Sequence, residues 1–168
     1  MGDVSILDQR RIEARFAGQM LATLTSELGR ERALAILSRA LIEMAHAAGR
    51  EFAAKKPGNE RGQNPPDLTD LAVITPLWQK DDGITIEWLE KSATSLKFKV
   101  TRCRYAESYR EMGLGEIGDL LSCNRDGEFC QGYNPAIRLQ RTQTIMKGAS
   151  HCDFHYTMPG ASTPGTKP

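Results

Sequence analysis

The sequence lacks the features that mark several large classes of protein. Among its 168 residues, no apolar stretch approaches the roughly 20 residues of a membrane-spanning helix. The N-terminus lacks the basic region and apolar core of a signal peptide. With a formal net charge of only +1, the composition gives no reason to expect nucleic acid or an anionic membrane as a partner. The prediction is a cytoplasmic protein with neither kind of partner.

Cysteine and histidine are scarce, but the few that occur lie close together. The chain contains four cysteines and three histidines, and no two cysteines have the C-x-x-C spacing of a zinc knuckle. Two histidines, a cysteine and an aspartate lie within residues 151–155, and residues 122–126 form a second dense patch. These residue types are the usual materials of nucleophilic and acid–base sites. Their concentration predicts an enzyme.

Hydrophobic periodicity predicts a helical hairpin at the N-terminus. Residues 6–28 and 31–54 carry apolar side chains at helical spacing on either side of Gly29, a natural helix stop. The apolar stripe of the first helix includes Ile12 and Phe16.

The rest of the chain predicts a sheet with short helices between its strands. Alternating residues predict two pairs of strands, 84–89 with 96–103 and 137–146 with 151–156. We expect a single α+β domain over residues 1–158, with the helical hairpin packed on an antiparallel sheet of about four strands. The other predicted segments are the N-terminal helices within 6–54, a linker at 55–66, a helix at 68–78 broken by Pro76, short helices at 105–112, 114–123 and 126–133, and a disordered tail at 159–168.

Strand alternation divides the patch at residues 151–155 between two faces of the sheet. His151, Asp153 and His155 fall on one face, and Cys152 falls on the other with two aromatic residues. Cys152 is therefore either a buried core cysteine or a nucleophile that needs a nearby base or positive charge. The two histidines lie about 13 Å apart on a strand, so no metal is predicted there. No cofactor is predicted either.

Four further residues have both a chemical and a structural interpretation. Cys123 ends a predicted helix, whose dipole disfavours a thiolate, unless a new helix begins near Asp126 and presents its N-terminus to the sulfur. Asp126 is either a helix cap or an acid–base group. Arg138 either binds a carboxylate or lies on a solvated strand face. Glu107, one helical turn from Glu111, is either half of an acid–base pair or solvated.

Five sequence blocks together resemble one known family. They are residues 102–107, 120–126, 132–135, 141–148 and 150–154, which read RCRYAE, LLSCNRD, GYNP, RTQTIMKG and SHCDF. In this order they resemble the L-2-amino-thiazoline-4-carboxylic acid hydrolase family, over a core at 84–157. The resemblance implies hydrolytic opening of a small five-membered cyclic isothiourea, at a carbon–nitrogen bond that is not a peptide bond.

Such a substrate asks for a cation beside its carboxylate and an anion beside its amidine-like carbon, C2. Arg138 or Arg141 is the predicted cation. The remaining predicted contacts are the anions Asp126, Asp153 and Glu107, together with Asn134 from the third block as a substrate-binding residue.

Two mechanisms remain open for the attack on C2. In the first, the thiol of Cys123 or Cys152 attacks and His151 transfers protons. In the second, a carboxylate or His151 activates water, and the cysteines are structural. The catalytic candidates are Cys123, Asp126, His151, Cys152 and Asp153.

Two other functions compete with this hypothesis. One is a hydrolase of the same family that acts on another small heterocyclic amide or imine. The other is a non-catalytic small-molecule-binding domain of the kind found in sensors. In each case the predicted partner is a small heterocyclic molecule, and apolar faces on the N-terminal helices favour a homodimer or a larger homo-oligomer.

Overall fold

Six α-helices and a four-stranded sheet form the part of the chain that the computed structural model describes, residues 4–59 and 62–159. The predicted α+β class is confirmed. Residues 60–61 of the predicted linker and 160–168 of the predicted tail lie outside the described residues. The elements are α1 (Ile6–Leu28), α2 (Arg30–Ala54), α3 (Leu68–Ile74), α4 (Pro76–Gln79), β1 (Ile84–Lys91), β2 (Ser95–Cys103), α5 (Arg104–Glu111), α6 (Asn124–Tyr133), β3 (Arg138–Gln140) and β4 (Cys152–Thr157), with short helical turns at Lys80–Asp82, Gly115–Ile117, Asp119–Cys123 and Ile145–Lys147.

The helices α1 and α2 form the predicted N-terminal hairpin. Ser5 caps α1 by accepting a hydrogen bond from the backbone N–H of Asp8 at 3.2 Å, and Gly29, at φ 81°, ends the helix. Ile12 and Phe16 of the apolar stripe of α1 are exposed. The buried side chains of α1 are leucines and alanines on another face of the helix: Leu7, Ala14, Ala17 and Leu21. The predicted homo-oligomer stays a prediction.

The sheet has the strand order β1-β2-β4-β3, and every neighbouring pair is antiparallel. The central strands pair in register, with Phe98 opposite Phe154 and Val100 opposite Cys152. The side chains of this face turn towards the helices, as the alternation of the sequence predicts. Cys152 is buried there, whereas His155 on the other face bonds to Ser95 at 3.3 Å.

The third strand is much shorter than predicted. It ends at Gln140 instead of continuing to residue 146. The reason is a side chain: the carboxylate of Asp153 accepts hydrogen bonds from the backbone N–H groups of Thr142 and Gln143, at 3.0 and 2.8 Å. These two N–H groups are therefore not available for hydrogen bonds between strands, and the chain turns away from the sheet.

Residues 119–133 form one continuous helical run instead of two separate helices. A π-helical turn over Asp119–Cys123 passes directly into α6, and Cys123 has helical backbone angles at the junction. Asp126 therefore lies inside the first turn of α6 and is not its cap. Single π-helical turns occur frequently at functional sites. The predicted break at Pro76 is confirmed, since Pro76 begins α4 directly after α3 ends.

Two glycines allow α2 and α6 to cross with their backbones almost touching. A Cβ atom on Gly132 of α6 would overlap the carbonyl group of His46 in α2. A Cβ atom on Gly49 of α2 would overlap the carbonyl of Phe129 in α6. This crossing holds the last turns of α6 against the C-terminal half of α2.

The core consists of two apolar clusters, one among the helices and one against the sheet. Ile84, Cys103 and Ile145 pack against both clusters and mark the region where they meet. None of the described helices combines the length and the apolar character that crossing a membrane requires.

Candidate functional site

A pocket of about 130 Å³ lies between the inner face of the sheet and the surrounding helices. Its wall is mainly apolar and aromatic, as small-molecule sites in proteins usually are. Four residues predicted for the site contribute to it, from the π-helical turn, α6, the segment after β3, and β4: Cys123, Asp126, Arg141 and Cys152.

Aromatic rings form much of the pocket wall. On the sheet side, the rings of Phe98 and Phe154 stack with centroids 4.8 Å apart and planes only 12° from parallel. On the helix side, the ring of Trp78 meets the ring of Phe129 edge-on at 5.9 Å. All four residues line the pocket. Aromatic walls of this kind favour a small planar ring as ligand.

One ion pair stands inside this apolar enclosure. Arg141 Nη1 donates to Asp126 Oδ2 at 2.5 Å, and Arg141 Nη2 donates to the carbonyl oxygen of Cys123 at 2.9 Å. The guanidinium carbon of Arg141 also lies 4.8 Å from the ring centroid of Phe154. The Arg141 side chain is 11% exposed and that of Asp126 is 31% exposed. Asp126 Oδ1 receives no hydrogen bond from the described residues, so it can meet a ligand.

The surroundings of Asp126 make it a stronger base than an ordinary aspartate. Burial raises the pKa of Asp126, and Arg141 opposes part of this shift. A carboxylate with a raised pKa accepts a proton more readily near neutral pH.

Three of the four cysteines line the pocket, and all four are free thiols. Burial raises the pKa of Cys103 to about 11, and it also raises the pKa of Cys123 and Cys152. The charge of Asp126 raises the pKa of Cys123 further. The Cys152 sulfur accepts a hydrogen bond from the backbone N–H of Ile145 at 3.2 Å. These sulfurs are therefore protonated at neutral pH and are weak nucleophiles.

His151 and Asp153 lie outside the pocket lining. His151 contacts the side-chain amide of Gln143 at 3.2 Å and the hydroxyl of Ser150 at 3.0 Å. Asp153 accepts hydrogen bonds from the segment after β3, including one from the Thr142 hydroxyl at 2.6 Å. These hydrogen bonds lower the pKa of Asp153 despite the opposing effect of burial. Both residues hold the segment that carries Arg141.

The three remaining predicted residues also lie outside the lining. Glu107 pairs with Arg102 on the surface, with Oε1 at 2.9 Å from Nε. Asn134 is buried and donates to the carbonyl of Pro66 at 2.7 Å, which fastens the predicted linker to the end of α6. Arg138 donates to backbone carbonyls of its own turn.

Two arginines that line the pocket were not predicted from the sequence. Arg10 of α1 and Arg125 of α6 both line it, and both bind the carboxylate of Glu13. Arg125 stands inside the block that contains Cys123 and Asp126, which is a usable signal. Nothing in the sequence separates Arg10 from the ordinary surface charges of a helix.

No group of three or more histidine, cysteine, aspartate or glutamate side chains within residues 4–59 and 62–159 has the geometry to hold a metal ion.

Comparison with known proteins identifies one family by sequence. The sequence model of the family described as L-2-amino-thiazoline-4-carboxylic acid hydrolase matches residues 9–156, nearly the whole chain. A comparison with curated protein sequences finds no significant match.

Two solved structures share the fold at low sequence identity. The phenol-responsive sensory domain of the transcription activator PoxR, with phenol, is 13% identical at a TM-score of 0.53, over 86% of this chain and 73% of that one. Trafficking protein particle complex subunit 3 from Naegleria fowleri, covalently bound to palmitic acid, is 9% identical at a TM-score of 0.50, over 90% of this chain and 96% of that one. At these identities the likeness concerns the fold alone.

Proposed function

The chain belongs to the L-2-amino-thiazoline-4-carboxylic acid hydrolase family, and we propose that it hydrolyses a small ring of amidine or isothiourea type inside the pocket. The observation that carries the proposal is one partly buried carboxylate, Asp126, held by Arg141 in an aromatic pocket of about 130 Å³. This pocket lies within the residues that match the family. The ring of L-2-amino-thiazoline-4-carboxylate is the first candidate substrate.

The pocket matches the chemistry of such a ring. A planar ring packs between the aromatic walls, and its amidine-like carbon C2 is most electrophilic when the amidine is protonated. Asp126 supplies the negative charge that favours this protonated form, in an enclosure where charges interact strongly. Arg141 orients the carboxylate.

We propose that Asp126 activates a water molecule for attack on C2. The water oxygen bonds to C2 and Asp126 accepts one water proton. The ring bond between C2 and nitrogen then breaks as Asp126 gives its proton to the leaving nitrogen. The hydroxyl oxygen on C2 becomes a carbonyl and its remaining proton passes to the freed amine, so the product is the substrate plus one water.

The alternative nucleophiles are the thiols of Cys123 and Cys152. A thiol needs a base or a positive charge nearby to become a thiolate. His151, the base proposed for this role, does not line the pocket, and burial raises the pKa of both thiols. These observations favour the water mechanism.

Separate Cys123→Ser and Cys152→Ser variants are expected to keep kcat within about threefold of the unsubstituted protein, because neither sulfur attacks in this mechanism. Steady-state turnover of L-2-amino-thiazoline-4-carboxylate measures the effect, and circular dichroism verifies the fold. A loss of about a hundredfold or more in one folded variant would identify that thiol as the nucleophile.

The pH profile of kcat separates the two mechanisms independently. With Asp126 as base, turnover declines as the pH falls through a pKa that burial has raised, and it is level at higher pH, where Asp126 is ionised. A thiolate mechanism predicts a rate that climbs about tenfold per pH unit up to the ordinary thiol pKa of 9.0 and beyond. A continued climb above pH 8 would contradict the role given to Asp126.

A binding domain without chemistry is the second candidate. Its supporting observation is that the pocket is mainly apolar and that its thiols are protonated, which suits a receptor as well as an enzyme. A solved structure of the same fold is a sensory domain with phenol. Saturable binding of the ring without any turnover would establish this function.

A further inference from the structure

We infer that Arg10, Glu13 and Arg125 form a receptor for one carboxylate group of the ligand. This receptor is distinct from the Asp126–Arg141 pair. The chemical class of the ligand rests on the proposed function, whereas the excess of positive charge beside the pocket does not depend on it.

In this receptor, the guanidinium groups of Arg10 and Arg125 both bind the side-chain carboxylate of Glu13. Arg10 Nη1 lies 2.6 Å and Arg125 Nη1 lies 2.8 Å from the same oxygen, Oε2 of Glu13. Both arginines line the pocket, whereas Glu13 stands behind them and is not part of the lining. The arrangement joins α1 to α6, elements far apart in the sequence.

The charges of the cluster do not balance. Three arginines, at positions 10, 125 and 141, face two carboxylates, at positions 13 and 126. Asp126 is already bound by Arg141 at 2.5 Å. One positive charge is left over beside the pocket, and a ligand with one negative charge would neutralise it.

Of the three arginines, Arg125 has the most buried side chain. Its residue is only 7% exposed, and burial and then the neighbouring Arg10 lower its pKa, against the effect of Glu13. Its Nε atom is buried and has no hydrogen-bond partner within the described residues. A buried donor without a partner is costly, so an acceptor supplied by the ligand would be strongly favoured.

A carboxylate fits this receptor better than a larger or more highly charged anion. The uncompensated charge is a single one, and the pocket of about 130 Å³ must also hold the ring. The planar fork of an arginine matches the two oxygens of a carboxylate. This location differs from the two arginines predicted from the sequence, since Arg138 is outside the pocket and Arg141 is bound to Asp126.

Binding of a matched pair of unreactive rings tests the inference. Thiophene-2-carboxylate and thiophene-2-carboxamide have the same shape and differ in charge, and isothermal titration calorimetry gives both dissociation constants. The unsubstituted protein is expected to bind the carboxylate at least about tenfold more tightly. Equal affinities, or a preference for the amide, would overturn the inference.

Variants assign the preference to these residues. Arg10→Gln and Arg125→Gln are each expected to remove most of the carboxylate preference, while Glu13→Gln, which removes a competing negative charge, is expected to increase it. Arg30→Gln is the control, because Arg30 lies on the surface and pairs with Glu116. If Arg125→Gln does not fold, Arg10→Gln decides alone, since the Arg10 side chain is 20% exposed.

The outcome is independent of turnover. A carboxylate preference that is lost in Arg10→Gln, in a protein that never opens a ring, would support the receptor and contradict the hydrolase. Turnover by the unsubstituted protein with an unchanged preference in Arg10→Gln would support the hydrolase and contradict the receptor.

Discussion

Asp126→Asn is expected to lower kcat by about a hundredfold to ten-thousandfold, the usual contribution of a positioned general base. An asparagine has the shape of aspartate and its amide oxygen still accepts a hydrogen bond from Arg141, but it cannot accept a proton from water. Because burial raises the pKa of Asp126, the charged form is unfavourable in the folded state, so we expect the neutral amide to leave the fold intact. Turnover at saturating substrate, at about pH 8, measures the effect.

A matched control separates this effect from a general loss of charge. Glu116→Gln makes the same chemical change on the surface, where Glu116 pairs with Arg30 at 3.1 Å, and it is expected to keep full turnover. Circular dichroism and thermal melting show whether both variants are folded. A folded Asp126→Asn protein with unchanged kcat would remove Asp126 from the mechanism.

Gly132→Ala is expected to lower the free energy of unfolding by about 2 to 3 kcal/mol, a large share of the roughly 5 to 15 kcal/mol of a typical domain. The added methyl group would overlap the carbonyl of His46 and lie 3.0 Å from the backbone nitrogen of Arg50. Those atoms belong to the backbone of α2 and cannot rotate away, so the two helices must separate. Separation would also move Asp126, on the same helix, away from the pocket.

Gly127 provides the control on the same helix. A Cβ atom at Gly127 would have no atom within 4 Å, so Gly127→Ala is expected to be neutral or to stabilise α6 by up to about 1 kcal/mol. Urea denaturation followed by circular dichroism gives both values. Equal stabilities for Gly132→Ala and Gly127→Ala would contradict the close crossing of α2 and α6.

The sequence predicted the parts of the fold that depend on local pattern. The hairpin boundary at Gly29, the break at Pro76 and the inward face of β4 follow from helix stops and strand alternation, which act over a few residues. The length of β3 depends instead on the Asp153 side chain, which reaches back to a segment ten residues earlier. Long-range hydrogen bonds of this kind leave no periodic signal.

The candidate site was predicted only in its central part. Asp126 and Arg141 were singled out because the chemistry needs a carboxylate and a cation, and they line the pocket. Arg10 was missed because it lies on a helix otherwise occupied by ordinary surface charges, and only the packing of α1 against α2 and α5 brings it to the pocket. Likewise, the exposed Phe16 obeys the same spacing as a core residue, so periodicity alone could not place it.

The most direct test of the proposed function is a mass measurement on the reaction mixture. The unsubstituted protein and Asp126→Asn are incubated separately with L-2-amino-thiazoline-4-carboxylate, and the solutions are analysed by liquid chromatography and mass spectrometry. The account predicts conversion of the ring to a product heavier by one water with the unsubstituted protein, and almost none with Asp126→Asn. Equal conversion by both proteins, or no conversion by either while the ring binds saturably, would contradict it.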